Sequence, residues 1–206
     1  MGTLDSVHIY FVRHGMTKWN KEKRYLGHTD QQLMTDKPTD LFPLKQYLSE
    51  ISIDRIFTSD LCRCLETSAY LLPDQQACAE PRLREMDFGD WEGKTHHELQ
   101  NDPSYKCWIN QWQTSAPPNG EHYQSFRSRV RSALDELLET NERKNVLMVT
   151  HGGVIREIMN RYIQGLSFKD TKITHGQGAR LIFNQDGGDW RCSSWSVVPM
   201  LGKENG

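Results

Sequence analysis

The sequence has no surplus of positive charge: 25 Lys and Arg stand against 27 Asp and Glu, a formal net charge of −2. That balance excludes the basic footprint of a protein that holds nucleic acid or an anionic membrane. Any anion it binds must be gripped by a few local cations. There is no apolar run near the roughly 20 residues that span a bilayer. The start, MGTLDSVHIY, has neither the basic nor the long apolar region of a secretory signal. The five cysteines (Cys62, Cys64, Cys78, Cys107 and Cys192) are odd in number and form no C-x-x-C pair, so a reducing cytoplasm is the expected setting. Internal repeats, low-complexity tracts and linkers are also missing. With 206 residues, 36% hydrophobic and 25% charged, residues 1–206 are expected to form one globular domain.

What is present is an alternation of strand and helix patterns. VHIYFV (7–12), IDRIFTS (53–59) and NVLMVTH (145–151) read as buried parallel strands, each running into small or polar residues and then a helical pattern. Ser59 or Asp60 is expected to cap a helix carrying Leu61, Leu65 and Leu72. Phe126, Val130, Leu134, Leu137 and Leu138 place one apolar stripe on a long helix ending near Asn141, and GGVIREIMNRYI predicts another helix straight after His151. GARLIFNQ and RCSSWSVV, split by DGGD, predict a terminal hairpin or edge pair. The expected fold is α/β, with helices on both faces of a mainly parallel sheet. The stretch from about 85 to 122, rich in Trp, Pro and Gly, reads as an excursion over that sheet.

Ligands of open α/β sheets sit outside the carboxyl ends of the strands. That rule brings together Arg13, His14 and Gly15 after the first strand, Arg63 beyond the second, and His151, Gly152 and Gly153 after the last. Two arginines offer planar donor forks that match phosphate oxygens. A neutral imidazole is a competent nucleophile, and nearby cations keep it unprotonated. The helix N-terminus after His151 adds backbone donors. Together these parts suit phosphoryl transfer with no metal ion and no cofactor. A leaving alkoxide still needs a proton. LREMDFGDWEG brings Glu85, Asp87, Asp90 and Glu92 towards the same rim. A carboxyl held partly out of water beside an anion is a suitable general acid, and spacing does not choose among the four.

VRHGMTKWN, GHTD, TSDLCRCLET, LREMDFGDWEG and VTHGGVIR, in that order over about residues 8 to 160, resemble the histidine phosphatase superfamily, the phosphoglycerate mutase-like enzymes. The resemblance implies the three-layer α/β/α fold of that family with a small helical cap insertion. It also implies that His14 is the residue phosphorylated, with Arg13 and Arg63 clamping the phosphoryl group and His151 bonded to it. Asn20 would line the pocket, and Glu85 would be the proton donor. Beside the resemblance, Gly27 and Gly152 are further candidates for substrate contact. MDFGDWEGKTHHEL, PPNGEHYQSF and THGGVIR look most like the small phosphatases, especially the α-ribazole phosphatase branch. Met16 stands where a glutamate or glutamine is usual, and TDKPTDL replaces the common glycine-containing start of the next helix.

Plainer readings stand beside these. Arg63 could pair with Glu66 or Asp60 on a helix surface, Gly27 and Asp30 could merely shape a turn, and Trp91, Trp108 and Trp112 could be core. Trp108 and Trp112 could equally wall a leaving-group pocket, as could Trp91. GDWEGKT ends like a Walker A loop, but Gly89 lies one residue too near Gly93. The expected activity is a metal-independent phosphomonoesterase with a phosphohistidine intermediate, acting on a small phosphorylated substrate, with α-ribazole 5′-phosphate one candidate. The alternatives are a phosphomutase, a broad phosphatase of sugar or nucleotide phosphates, and a noncatalytic phosphate-binding protein.

Overall fold

A computed structural model describes residues 6–35, 38–140, 144–166 and 171–199. Its sheet is built from β1 (Ser6–Arg13), β2 (Arg55–Thr58), β3 (Ala77–Ala79), β4 (Asn145–Thr150), β5 (Gly178–Asp186) and β6 (Asp189–Val198), in the order β3-β2-β4-β1-β5-β6. The pairs β3–β2, β2–β4 and β4–β1 are parallel, while β5 runs antiparallel to β1 and β6 to β5. The sheet is therefore mainly parallel with an antiparallel hairpin at one end. The hairpin turns at Gly187 and Gly188, both at positive φ, as a tight two-residue reversal requires.

The layers follow from the period of two along each strand. Ile9 and Phe11 of β1, Val146 and Met148 of β4, and Leu181 and Phe183 of β5 face one core. That core is closed by α6 (Tyr123–Thr140) and α7 (Gly152–Tyr162). Tyr10 and Val12, with Leu147 and Val149, face a second core closed by α2 (Phe42–Ser49) and α3 (Cys62–Leu71). Continuous apolar strands are what a sheet covered on both sides demands. The residues from 85 to 122 carry α4 (His96–Leu99) and α5 (Pro103–Gln111) and pack Trp91, Tyr105 and Trp108 onto the first core. No helix among the described residues is long and apolar enough to cross a bilayer.

Several expectations change in detail. The second strand is shorter than 53–59, and β3 went unforeseen because three residues, Ala-Cys-Ala, carry no strand pattern. Neither Ser59 nor Asp60 caps α3: its N-cap is Leu61. Asp60 is taken by Arg84, and Asp30 Oδ1 accepts from the Cys62 N–H at 2.8 Å instead. The stripe from Phe126 to Leu138 lies on α6, while Asn141 falls outside the described residues, as do Asp36 and Lys37 of TDKPTDL.

Between α6 and α7 the fully buried Glu157 accepts from Tyr123 O–H and from Arg131 at 2.7 Å. Glu157→Ala removes the buried carboxylate and takes this acceptor from the buried Tyr123 hydroxyl, while Arg131 and Arg127 keep access to solvent. The unfolding free energy is therefore expected to fall by about 1–3 kcal/mol in urea titrations. A loss below about 0.5 kcal/mol would show that the hydrogen bond carries no such weight.

Candidate active site

The register of the parallel strands builds the rim. Arg13 pairs with Thr150 and Thr58 with Val149, and each ladder runs one bond further, His14 N–H to Thr150 O and Ser59 N–H to Val149 O, both at 2.9 Å. His14, Ser59 and His151 thus leave the sheet side by side. The His14 Nδ1–H donates to the Gly15 carbonyl at 2.7 Å, because a carbonyl can only accept. That contact leaves the Nε2 lone pair available. Burial, then Arg63, His175 and Arg13, hold the His14 pKa well below 6.5, so the ring is neutral at physiological pH. Asn20 closes a capping box with Thr17 at the head of α1 (Lys18–Lys21), using its side-chain oxygen. With Arg13, Lys23 and His175 it lines a cavity of about 280 Å³.

Arg63 is fully buried on α3, not on a helix surface. It donates to Gly27 O at 2.7 Å, Thr29 O at 3.0 Å and His151 Nδ1 at 3.3 Å. The 27–29 turn is pinned in place by Glu92, whose carboxylate accepts from the His28, Thr29 and Phe88 N–H groups. A Cβ on Gly27 would lie 2.3 Å from both Met86 O and Glu92 Oε1, so only glycine allows this approach. Gly27 serves here through its carbonyl and its missing side chain. Arg13 donates from Nη1 to Ile173 O at 3.0 Å.

His151 is the N-cap of α7, its ring centroid 5.1 Å from that of His14. Its Nδ1 accepts from Arg63, so Nε2 carries the proton and donates to Ser59 Oγ at 3.0 Å. Burial first, then Arg63 and His14, lower its pKa well below 6.5. Gly152 packs against the Arg13 guanidinium, where a Cβ would be 3.4 Å from Cζ. Glu85 accepts from the Gly153 N–H at 2.9 Å, in the first turn of α7. A Cβ on Gly153 would come within 2.1 Å of Glu85 Oε1. The second glycine of HGG is thus a seat for the acid, a role the sequence reading did not give it.

The other three acids have structural occupations. Glu92 holds the 27–29 turn, Asp87 accepts from Gly89 N–H and faces His28, and Asp90 accepts from Asn119. Glu85 borders a second, larger cavity that also touches Trp108 and Trp112; Trp91 is core.

His175 was missed altogether. Its Nδ1–H donates to His14 O at 2.9 Å, its ring lies 5.3 Å from that of His14, and burial followed by Arg13 brings its pKa down to about 4. The available signal was topological: an antiparallel β5 paired to β1 must start at the end where β1 stops, which places residues just before Gly178 beside His14.

Three histidines with lowered pKa values bind fewer protons folded than unfolded. Stability they contribute is complete above the unfolded value of 6.5 and is lost as pH falls below it towards their folded values, by up to about 1.4 kcal/mol per pH unit for each ring. Urea midpoints should therefore fall between pH 7 and pH 5, and a flat profile would contradict neutral burial.

Comparison with known proteins joins this geometry to a family. A profile described as histidine phosphatase superfamily (branch 1) matches residues 9–198. The chain is 34% identical over 159 residues to the adenosylcobalamin/alpha-ribazole phosphatase of Escherichia coli (strain K12), covering 75% of this chain and 78% of that protein. It is 30% identical to the probable phosphoglycerate mutase GpmB of Erwinia tasmaniensis, over 92% of this chain and 90% of that one. The crystal structure of the alpha-ribazole phosphatase from Shigella flexneri superposes with a TM-score of 0.78 at 30% identity, covering 90% of this chain and 94% of that one. The mainly parallel sheet is thus shared architecture, and the chain belongs to branch 1 of the histidine phosphatase superfamily as a phosphatase-type enzyme.

Proposed function

We propose that the chain is a metal-independent phosphomonoesterase working through a phosphohistidine at His14. The observation that carries this reading is the free Nε2 of a buried, neutral His14, flanked by Arg13 and Arg63. In the first step Nε2 attacks phosphorus, the N–P bond forms, the P–O ester bond breaks, and Glu85 gives its proton to the departing alkoxide. In the second, Glu85 takes a proton from water, whose oxygen attacks phosphorus and releases inorganic phosphate and neutral His14.

Arg13 and Arg63 neutralise the equatorial oxygens. The Arg63 Nε bond to a neutral imidazole nitrogen is one that a phosphoryl oxygen, charged and a stronger acceptor, can replace. The incoming dianion then favours the protonated His151, which donates from Nδ1. The Gly152 N–H at the start of α7 and the Asn20 amide complete the cradle. We take residues 1–206 as one catalytic unit, with 85–122 contributing the acid and part of the substrate wall.

Relatives named as alpha-ribazole phosphatases support α-ribazole 5′-phosphate as the substrate. The likeness to GpmB favours a second reading, a phosphomutase that passes the same phosphoryl group to another hydroxyl. Phosphoryl exchange between monophosphates without release of inorganic phosphate would select the mutase.

Rapid quench with labelled substrate in EDTA should trap acid-labile phosphate on the protein. His14→Ala should abolish both this phosphate and at least 10³-fold of kcat/KM, about 4 kcal/mol of transition-state stabilisation. Turnover in EDTA without a phosphoprotein would refute the mechanism. Glu85→Gln should slow alkyl esters far more than nitrophenyl phosphate, whose leaving group needs no proton. Equal slowing of both would remove Glu85 from the acid role.

A further inference from the structure

Glu85 belongs to neither a helix nor a strand; it follows a short 3-10 turn, Pro81–Leu83. Such a segment is fixed only by what binds its backbone. Four consecutive carbonyls, from Arg82 to Glu85, are all held. The Thr150 hydroxyl donates to Leu83 O at 2.8 Å. Arg129 of α6 takes the other three, donating to Arg82 O at 2.8 Å, Arg84 O at 2.7 Å and Glu85 O at 2.8 Å. We propose that Arg129 is a positioning residue for the general acid: its guanidinium fixes the backbone of 82–85 and so sets the Glu85 carboxyl against the departing oxygen. The proposal rests on the phosphatase reading with Glu85 as its acid, and goes beyond it by naming what aims that acid.

Three observations carry it. The first is the donor count. A guanidinium has five N–H donors. Three go to the carbonyls, and the remaining two go to Glu121, from Nε to Oε1 and from Nη2 to Oε2, both at 2.8 Å. Every donor is in use, so Arg129 has none left for a phosphoryl oxygen. Its part is distinct from that of Arg13 and Arg63.

The second is what the clamp joins. Glu121 is paired to Arg129 through both oxygens, and its backbone N–H donates to Asp87 O at 2.9 Å. Residues 82–87 and Glu121 are thereby tied to α6 at one point. Phe126, one turn earlier on α6, lies under the guanidinium with its ring centroid 5.0 Å away and supports its plane.

The third is the short path to the acid. Arg129 holds the carbonyl of Glu85 itself, and His28 Nε2–H adds a second contact there at 3.0 Å. The same residue's carboxyl accepts from Gly153 N–H at 2.9 Å and Met86 N–H at 3.0 Å. A shift of the backbone therefore passes straight to the carboxyl, and a misplacement of about 1 Å costs on the order of 10²-fold in rate. Lysine cannot replace the fork, because its donors share one nitrogen and do not span the carbonyls and the carboxylate.

The test compares kcat/KM for glycerol 3-phosphate with that for 4-nitrophenyl phosphate in Arg129→Lys, Glu121→Gln and Glu85→Gln. This parameter covers phosphorylation of His14, in which the leaving group departs, so activation of water by Glu85 does not enter. Nitrophenolate leaves without a proton, whereas the glyceryl alkoxide needs one. Arg129→Lys is expected to lower the alkyl-to-nitrophenyl ratio about tenfold, within the roughly 10²–10⁴-fold that a general acid supplies. Glu121→Gln should lower it about fivefold, since one arm of the clamp remains unpaired. A residue that only stabilised the fold would slow both esters alike, and a ratio is insensitive to partial loss of folded enzyme. If Glu85→Gln lowers the ratio while folded Arg129→Lys stays within about twofold of the parent, the clamp is overturned and the acid stands. Should Arg129→Lys fail to fold by circular dichroism, the same criterion applies to Glu121→Gln. If Glu85→Gln leaves the ratio unchanged, Glu85 is not the acid and the proposal falls with it.

Discussion

Parallel pairing of β1 with β4 and of β4 with β2 stops with Arg13 opposite Thr150 and Thr58 opposite Val149. Because the strands end level, the first residue past each of them enters the same small space. There one backbone bond orients His14 and another orients Ser59, the hydroxyl that receives the His151 N–H. A shift of one residue in either pairing would turn every inward side chain to the other face and scatter these groups. The apolar alternation that fills two cores is therefore also what aims the histidines.

Crowding two guanidinium groups and three imidazoles onto one rim is electrostatically costly, and the structure meets the cost in two ways. The histidines stay neutral, since burial and neighbouring cations both oppose protonation. The arginines are held by backbone carbonyls (Gly27, Thr29 and Ile173) and by a neutral imidazole. Dipoles orient a guanidinium without cancelling its charge, as a carboxylate would. The rim therefore keeps a net attraction for an anion, with Glu85 seated across from it on the N-terminus of α7. A protein of balanced overall charge thus carries a concentrated positive site.

The 85–122 segment works in both directions from that seat. Towards the rim it supplies Glu85 and, through Glu92, the clamp on the turn that faces Arg63. Away from the rim it supplies aromatic side chains that pack on the first core and border the cavity beside Glu85. Rigid support of the acid and shaping of the adjacent space therefore come from one stretch of chain.

Much of this was legible beforehand. Short continuous apolar runs rich in β-branched and aromatic residues point to strands covered on both faces, and the residues that follow them lie at the carboxyl rim. Arg13, His14, Arg63 and His151 were therefore placed by local pattern and one topological rule. Resemblance then chose Glu85 from four neighbouring acids. What local pattern could not supply depends on contacts between residues far apart in the chain. Arg63 could be buried only because carbonyls from 27–29 come to meet it. Gly27 and Gly153 are glycines because Met86 O and Glu85 fill the space a side chain would take. His175 reaches His14 only because β5 turns back along β1. Sequence determined which residues leave the sheet at the rim, since periodicity and strand ends are local. Which lone pair stays free, which acid faces the cavity and which distant histidine joins the site were decided by tertiary packing alone, because each depends on an approach of a few ångströms that only the folded chain creates.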